Sequence, residues 1–247
     1  MSFNTAFADQ IRAHLHSVAA LRQGALGSPA HAAAVHTVKR LQARRFRASY
    51  ADLATDPRTQ PAVRFFLEEL YGEHDFSRRD EQFGRIAGAL ERLFPAAVAQ
   101  LAVDLTEIHA LTERLDDALA GHWLGQAEGT PSAERYTLAW RACGARGERE
   151  RQLAVVQHMG QELQRLTRMR SLRLGLRMMR KPAEAAGLDA LQHFLESGFD
   201  AFAALGDASA FLRTIAEREG GWIDCLFDAP LAEACRRLDA EWSRAPA

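Results

Sequence analysis

Apolar residues recur along this chain at intervals of three and four, the spacing that turns one stripe of a helix toward a core. Val63, Phe66, Leu67 and Leu70 share such a stripe in the segment 60–71. Leu188, Leu191, Leu195, Phe199 and Phe202 share another in 188–205. No window alternates with the period of a strand, and β-branched residues are sparse while Leu, Ala, Arg, Gln and Glu dominate, so period and propensity both favour helix. The pattern predicts helices over 3–23, 29–48, 60–71, 78–93, 95–123, 131–143, 148–180, 188–205, 208–227 and 230–243. The expected fold is all-α, a multi-helix bundle of about nine or ten helices forming a single domain over 1–247. The two longest segments, 95–123 and 148–180, are expected at its centre, the second breaking near Gly160 or Gly175.

Punctuation supports these boundaries. "TDP" at 55–57, "FPAAV" at 94–98 and "TPSAE" at 130–134 place proline where a first helical turn accepts it, and Ser77 followed by Asp80 imitates a capping box. Gly72 stands where a left-handed residue would end the helix 60–71. "ACGARGERE", 142–150, is the softest boundary, with a hinge near 143–148 as the alternative to a plain interhelical turn.

Phe65 departs from the pattern. It falls opposite the apolar stripe, among Arg64, Glu68 and Glu69. Either the helix is covered on both sides, the favoured reading, or Phe65 is an aromatic interface anchor ringed by charge. The strings "FFLEELYG", "DFSRRDEQF", "GFDAFAAL" and "FLRTIAERE" resemble features of a family of uncharacterised bacterial proteins with all-helical chains. That resemblance implies a fold class and carries over no catalytic residue.

Charge and cysteine content narrow the setting. Lys+Arg 31 against Asp+Glu 32 leaves a formal net charge of -1, which offers no global field for nucleic acid or an anionic membrane. Cys143, Cys225 and Cys235 are too dispersed for a disulfide framework or a CxxC metal site. With no signal-like start and no apolar run of membrane length, the expectation is a soluble, cytoplasmic protein with no membrane partner.

No phosphate-loop, dinucleotide or nucleophile-elbow string occurs, and no cofactor or reaction is implied. His109 and Asp116 fall on the stripe Val98, Leu101, Ala102, Leu105, Thr112 and Leu119, with Glu113 at its edge. Buried polar groups must find partners, so these three are the candidates for a pocket suited to proton transfer or a metal, against the plain alternative of a satisfied core histidine. Asp189 with His193, and His158 with Glu162, have chelating spacing in poorly placed helices, and no metal site is assigned.

The segment "RLTRMRSLRLGLRMMRK", 165–181, holds seven Lys or Arg and no acid. Arg170, Arg173, Arg177 and Arg180 form a narrow rail while Leu172, Leu174, Leu176, Met178 and Met179 fill much of the remaining circumference. The favoured function is therefore a binding or adaptor protein whose basic helix face takes an anionic small molecule or an acidic protein surface. The absence of interleaved aromatics argues against nucleic acid, and a homo-oligomer is left open. The rival is a helical enzyme or cofactor carrier using His109, Glu113 and Asp116; a core helix whose arginines pair with neighbouring glutamates is the bland reading of the rail.

Overall fold

The computed structural model describes residues 6–70 and 76–245, apart from the side chains of Leu70 and Leu93, and among these it contains helices and turns only. In chain order they are α1 (Phe7–Leu26), α2 (Pro29–Ser49), α3 (Ala51–Thr55), α4 (Gln60–Phe65), a π-helical turn (Phe66–Leu70), α5 (Ser77–Leu93), α6 (Ala96–Leu124), α7 (Ser132–Cys143), α8 (Arg146–Thr167), α9 (Arg170–Met178), α10 (Arg180–Ala185), α11 (Asp189–Leu205), α12 (Ser209–Asp228) and α13 (Leu231–Arg244). The protein is an all-α bundle.

Local chemistry explains most boundaries. Ser28 caps α2 by accepting from the His31 backbone N–H at 3.3 Å, with Pro29 in the first turn. Pro95 and Pro131 sit immediately before α6 and α7. Gly144 closes α7 at φ 61°, a conformation in which a Cβ would be strained. Gly72, expected to end the helix 60–71, lies outside the described residues.

Three local expectations change. The long segment 148–180 is two helices, α8 and α9, and the break falls at Arg168–Met169, not at a glycine; Met169 leaves helical geometry with ψ 98°. Gly160 stays inside α8 because it lets α12 approach, where a Cβ would collide with the Leu212 side chain. Gly175 lies within α9 with nothing near it. Asp80 does not cap α5; its carboxylate is turned to other elements, as described below.

Phe65 is covered, at 7 % exposure, by α11: its ring lies 5.3 Å from Phe194, and a Cβ at Gly198 would come 2.8 Å from its Cζ. Its neighbour Phe66 meets Phe202 and Phe211 at 6.1 and 6.2 Å. The interface-anchor alternative for Phe65 therefore gives way to the sandwiched one: α11 lies over the side that looked polar.

α6 is the axis of the bundle, touching α1, α2, α5, α7 and α8. Its first half enters one apolar cluster through Ala102, Val103, Leu105 and Ile108, with α1, α4, α5, α8 and α11. Its last turns enter a second through Leu119, Ala120 and Trp123, with α2, α7 and α13.

Candidate functional site

Three long helices pass from one apolar cluster to the other, and each carries polar side chains where it crosses. α2 runs from Ala34 and Val38 in one cluster to Phe46 in the other, with Gln42 and Arg45 between. α6 carries His109, Thr112 and Asp116 between Ile108 and Leu119. α12 carries Glu219 between Ile215 and Trp222, and α8 supplies Arg149 and Gln152 ahead of Val155 and Val156. A buried polar seam thus separates the two clusters.

Most of the seam is satisfied. Arg45 makes a two-pronged ion pair with Glu219, at 3.0 and 2.6 Å, and Tyr50 Oη donates to the same carboxylate at 2.7 Å. Burial works against the Arg45 charge, but Glu219 more than restores it and raises the guanidinium above its ordinary value. Gln42 Nε2 donates to Asp116 Oδ1 at 2.7 Å, and Gln152 Nε2 donates to Thr112 Oγ1 at 2.8 Å. Burial pushes the Asp116 carboxyl up to about 6, against the opposing charges of Lys39 and Arg149 and with Glu113 adding to the rise.

The three acid–base candidates go to different partners. His109 is 8 % exposed and holds Asp80 Oδ2 of α5 at 2.9 Å through Nε2. Arg22 Nη1 donates to the same Oδ2 at 2.9 Å, and Arg79 Nη2 donates to Oδ1 at 3.2 Å. Burial raises the Asp80 carboxyl, but the His109 hydrogen bond and the nearby cations outweigh it and hold the group below its usual range. Glu113 accepts from Lys39 Nζ at 2.6 Å, and Asp116 is turned to Gln42. His109 is therefore a satisfied buried histidine joining α1, α5 and α6, and the three side chains do not form one pocket. No group of three metal-ligating side chains occurs among the described residues: His158 pairs with Asp104 at 2.6 Å, Glu162 with Arg165, and Asp189 with Arg78.

The arginine rail divides in two. Arg173 Nη2 reaches Asp200 at 2.9 Å and Arg180 Nε reaches Glu196 at 2.7 Å, so both are closed onto α11. Arg168, Arg170, Arg177 and Lys181 are exposed and form no salt bridge among the described residues. Leu172 and Leu176 are half-buried, whereas Leu174 and Met178 stand 60 % and 69 % exposed on the outer face of α9, with Met169 and Met179 exposed at its ends. Arg170 and Arg177 flank Leu174 and Met178 on that outer face.

The buried member that sequence reasoning missed is Arg149. It sits in the charged run "RGERER" and reads as solvated, yet it shares a stripe with Gln152 and Val156, and that phase was the available signal. No helix among the described residues is long and apolar enough to cross a membrane.

A family described as "Domain of unknown function (DUF8198)" matches residues 21–232, nearly the whole bundle. No curated protein and no solved structure matches the chain.

Proposed function

The chain belongs to the DUF8198 family, and we propose that it works by binding, with the outer face of α9 and the start of α10 as the contact surface for an acidic, amphipathic protein segment. The observation that carries this is the coincidence of four exposed large apolar side chains, Met169, Leu174, Met178 and Met179, with four basic residues that have no salt bridge within the described chain. Exposed apolar clusters of this kind mark contact sites, and methionines adapt to varied apolar surfaces. The segment 163–183 contains no acid, so an acidic partner meets no like-charge repulsion there. The unpaired state of Cys143, Cys225 and Cys235 supports a reducing, cytoplasmic setting for this role.

The test uses the full chain and a synthetic peptide with Leu and Glu at helical spacing, read by fluorescence anisotropy against a scrambled isomer of equal charge. The amphipathic peptide is expected to bind at least about tenfold more tightly than its isomer, because only it aligns apolar groups with Leu174 and Met178. Binding should weaken with salt and should fall about tenfold or more in Arg170→Gln/Arg177→Gln and in Leu174→Ser/Met178→Ser, with unchanged circular dichroism. Equal binding of the two peptides, or unchanged binding by both variants, overturns the proposal. Preference for anionic vesicles over the peptide would overturn it in favour of a lipid surface.

A further inference from the structure

At the edge of the seam lies a cavity of about 70 Å³. Its lining combines apolar side chains, among them Phe46, Val63, Phe66, Phe211 and Ile215, with the polar Arg45, Arg149, Gln152 and Glu219 and the Trp140 indole. The two buried guanidinium groups differ in how well they are satisfied. Arg45 and Glu219 neutralise each other by their two-pronged pair. Arg149 has no such partner. Its guanidinium, in a residue only 6 % exposed, reaches the neutral Gln152 Oε1 at 3.4 Å and stacks on the Trp140 ring at 4.1 Å. Among the described residues no carboxylate forms a salt bridge with it; Asp116, whose charge it favours, spends its hydrogen bond on Gln42. Beside it, the Trp140 indole N–H is buried with no acceptor.

A buried guanidinium without a carboxylate and a buried N–H without an acceptor are costly in isolation. Where it lines a cavity, the uncompensated Arg149 guanidinium offers donors to a single anion. The lining also includes an irregularity in the backbone. The π-helical turn Phe66–Leu70 contributes Phe66 and Leu67 to the lining, and π-helical turns inside helices recur at ligand sites. From these observations we infer that the cavity is a binding site for a short-chain aliphatic carboxylate. Its anionic head accepts from Arg149, and its hydrocarbon tail lies against Phe46, Val63, Phe66 and Phe211. Size sets the chain length: the cavity is about half of the roughly 150 Å³ that admits benzene, which suits propionate or butyrate rather than an aromatic or long-chain acid. The site is independent of the α9 surface.

Butyrate and its neutral isostere butyramide, titrated into the full-length protein, test the assignment. Calorimetry and the four tryptophan indole N–H signals in 15N-correlated NMR spectra are the readouts, with the Trp140 signal assigned from its loss in Trp140→Phe. Butyrate should bind at least about tenfold more tightly than butyramide and shift the Trp140 signal, because that ring stacks on the Arg149 guanidinium that takes the anion. Arg149→Met keeps the stem and removes the charge; it should abolish the preference for butyrate. Trp140→Phe keeps a ring under the guanidinium and should leave the preference for butyrate in place. If Arg149→Met does not fold, the ligand pair and the Trp140 signal decide the matter alone. Equal affinity for butyrate and butyramide, an unmoved Trp140 signal at saturating butyrate, or no binding of butyrate at all overturns the inference.

Discussion

Asp116→Asn should make the protein more stable at neutral pH, although it removes a buried group that accepts a hydrogen bond. Asp116 is 2 % exposed, and burial is the largest influence on it, raising its carboxyl from 3.8 to about 6 despite Lys39 and Arg149. A folded-state value above the unfolded one means the folded protein binds the proton more tightly. The ionised form therefore costs the fold nothing well below pH 3.8, progressively more between pH 3.8 and about 6, and a constant amount above. A rise from 3.8 to about 6 corresponds to about 3 kcal/mol. Asparagine stays neutral throughout, and its carbonyl oxygen can accept from Gln42 Nε2 as Asp116 Oδ1 does at 2.7 Å. Urea unfolding should therefore show the variant more stable by up to about 3 kcal/mol at pH 7.5, shrinking to about 1 kcal/mol at pH 4.5. A variant less stable than wild type at pH 7.5, or a difference that does not change with pH, would refute the reasoning. Either result would mean that the charge of Asp116 is held favourably by Lys39 and Arg149.

Other perturbations have distinct signs. His109→Ala should lose about 1–3 kcal/mol in the same urea assay, because Asp80 loses a donor inside the bundle; an unchanged midpoint would show that Arg22 and Arg79 suffice. Glu219→Gln strands the buried Arg45 and should cost about 3–5 kcal/mol, read as a drop in the thermal midpoint. Two glycines in the basic-to-apolar region of the sequence should respond oppositely in thermal melts. Gly160→Ala should destabilise by about 1–3 kcal/mol through the clash with Leu212, whereas Gly175→Ala, with open space around it in α9, should stabilise by about 0.5–1 kcal/mol.

Helix positions were legible where local chemistry fixes them. Ser28–Pro29, Pro95 and Pro131 start helices within a few residues of the predicted places because capping and proline geometry act within one turn. The break at Arg168–Met169 carries no glycine or proline, and the glycines that resembled breaks have other surroundings: Gly160 faces Leu212 and Gly175 faces open space. The short helix α3 and the π-helical turn were invisible because they depend on what packs over them, as Phe65 shows beneath α11. Helical phase put His109 and Asp116 inside correctly. It could not say that His109 meets Asp80, 29 positions away, or that Asp116 meets Gln42, 74 positions away, since pairing between helices is a property of their packing. The arginine rail was legible as a charged strip, but its division was not, because Asp200 and Glu196 come to Arg173 and Arg180 only once α11 is in place.

The seam also acts as an alignment key. Apolar surfaces tolerate sliding, since one leucine stripe offers much the same contact a turn further along. Moving α2 by one turn, 5.4 Å, along α6 would carry Gln42 away from Asp116 and Lys39 away from Glu113 while Arg45 left Glu219. The slip leaves the buried Asp116, Gln42 and Arg45 and the half-buried Lys39, Glu113 and Glu219 unanswered, so a small slip that two greasy surfaces would accept is rejected by several polar groups at once. The bundle thereby has one set of offsets among α2, α6 and α12, and the cavity beside Arg149 is held to one shape by the same hydrogen bonds.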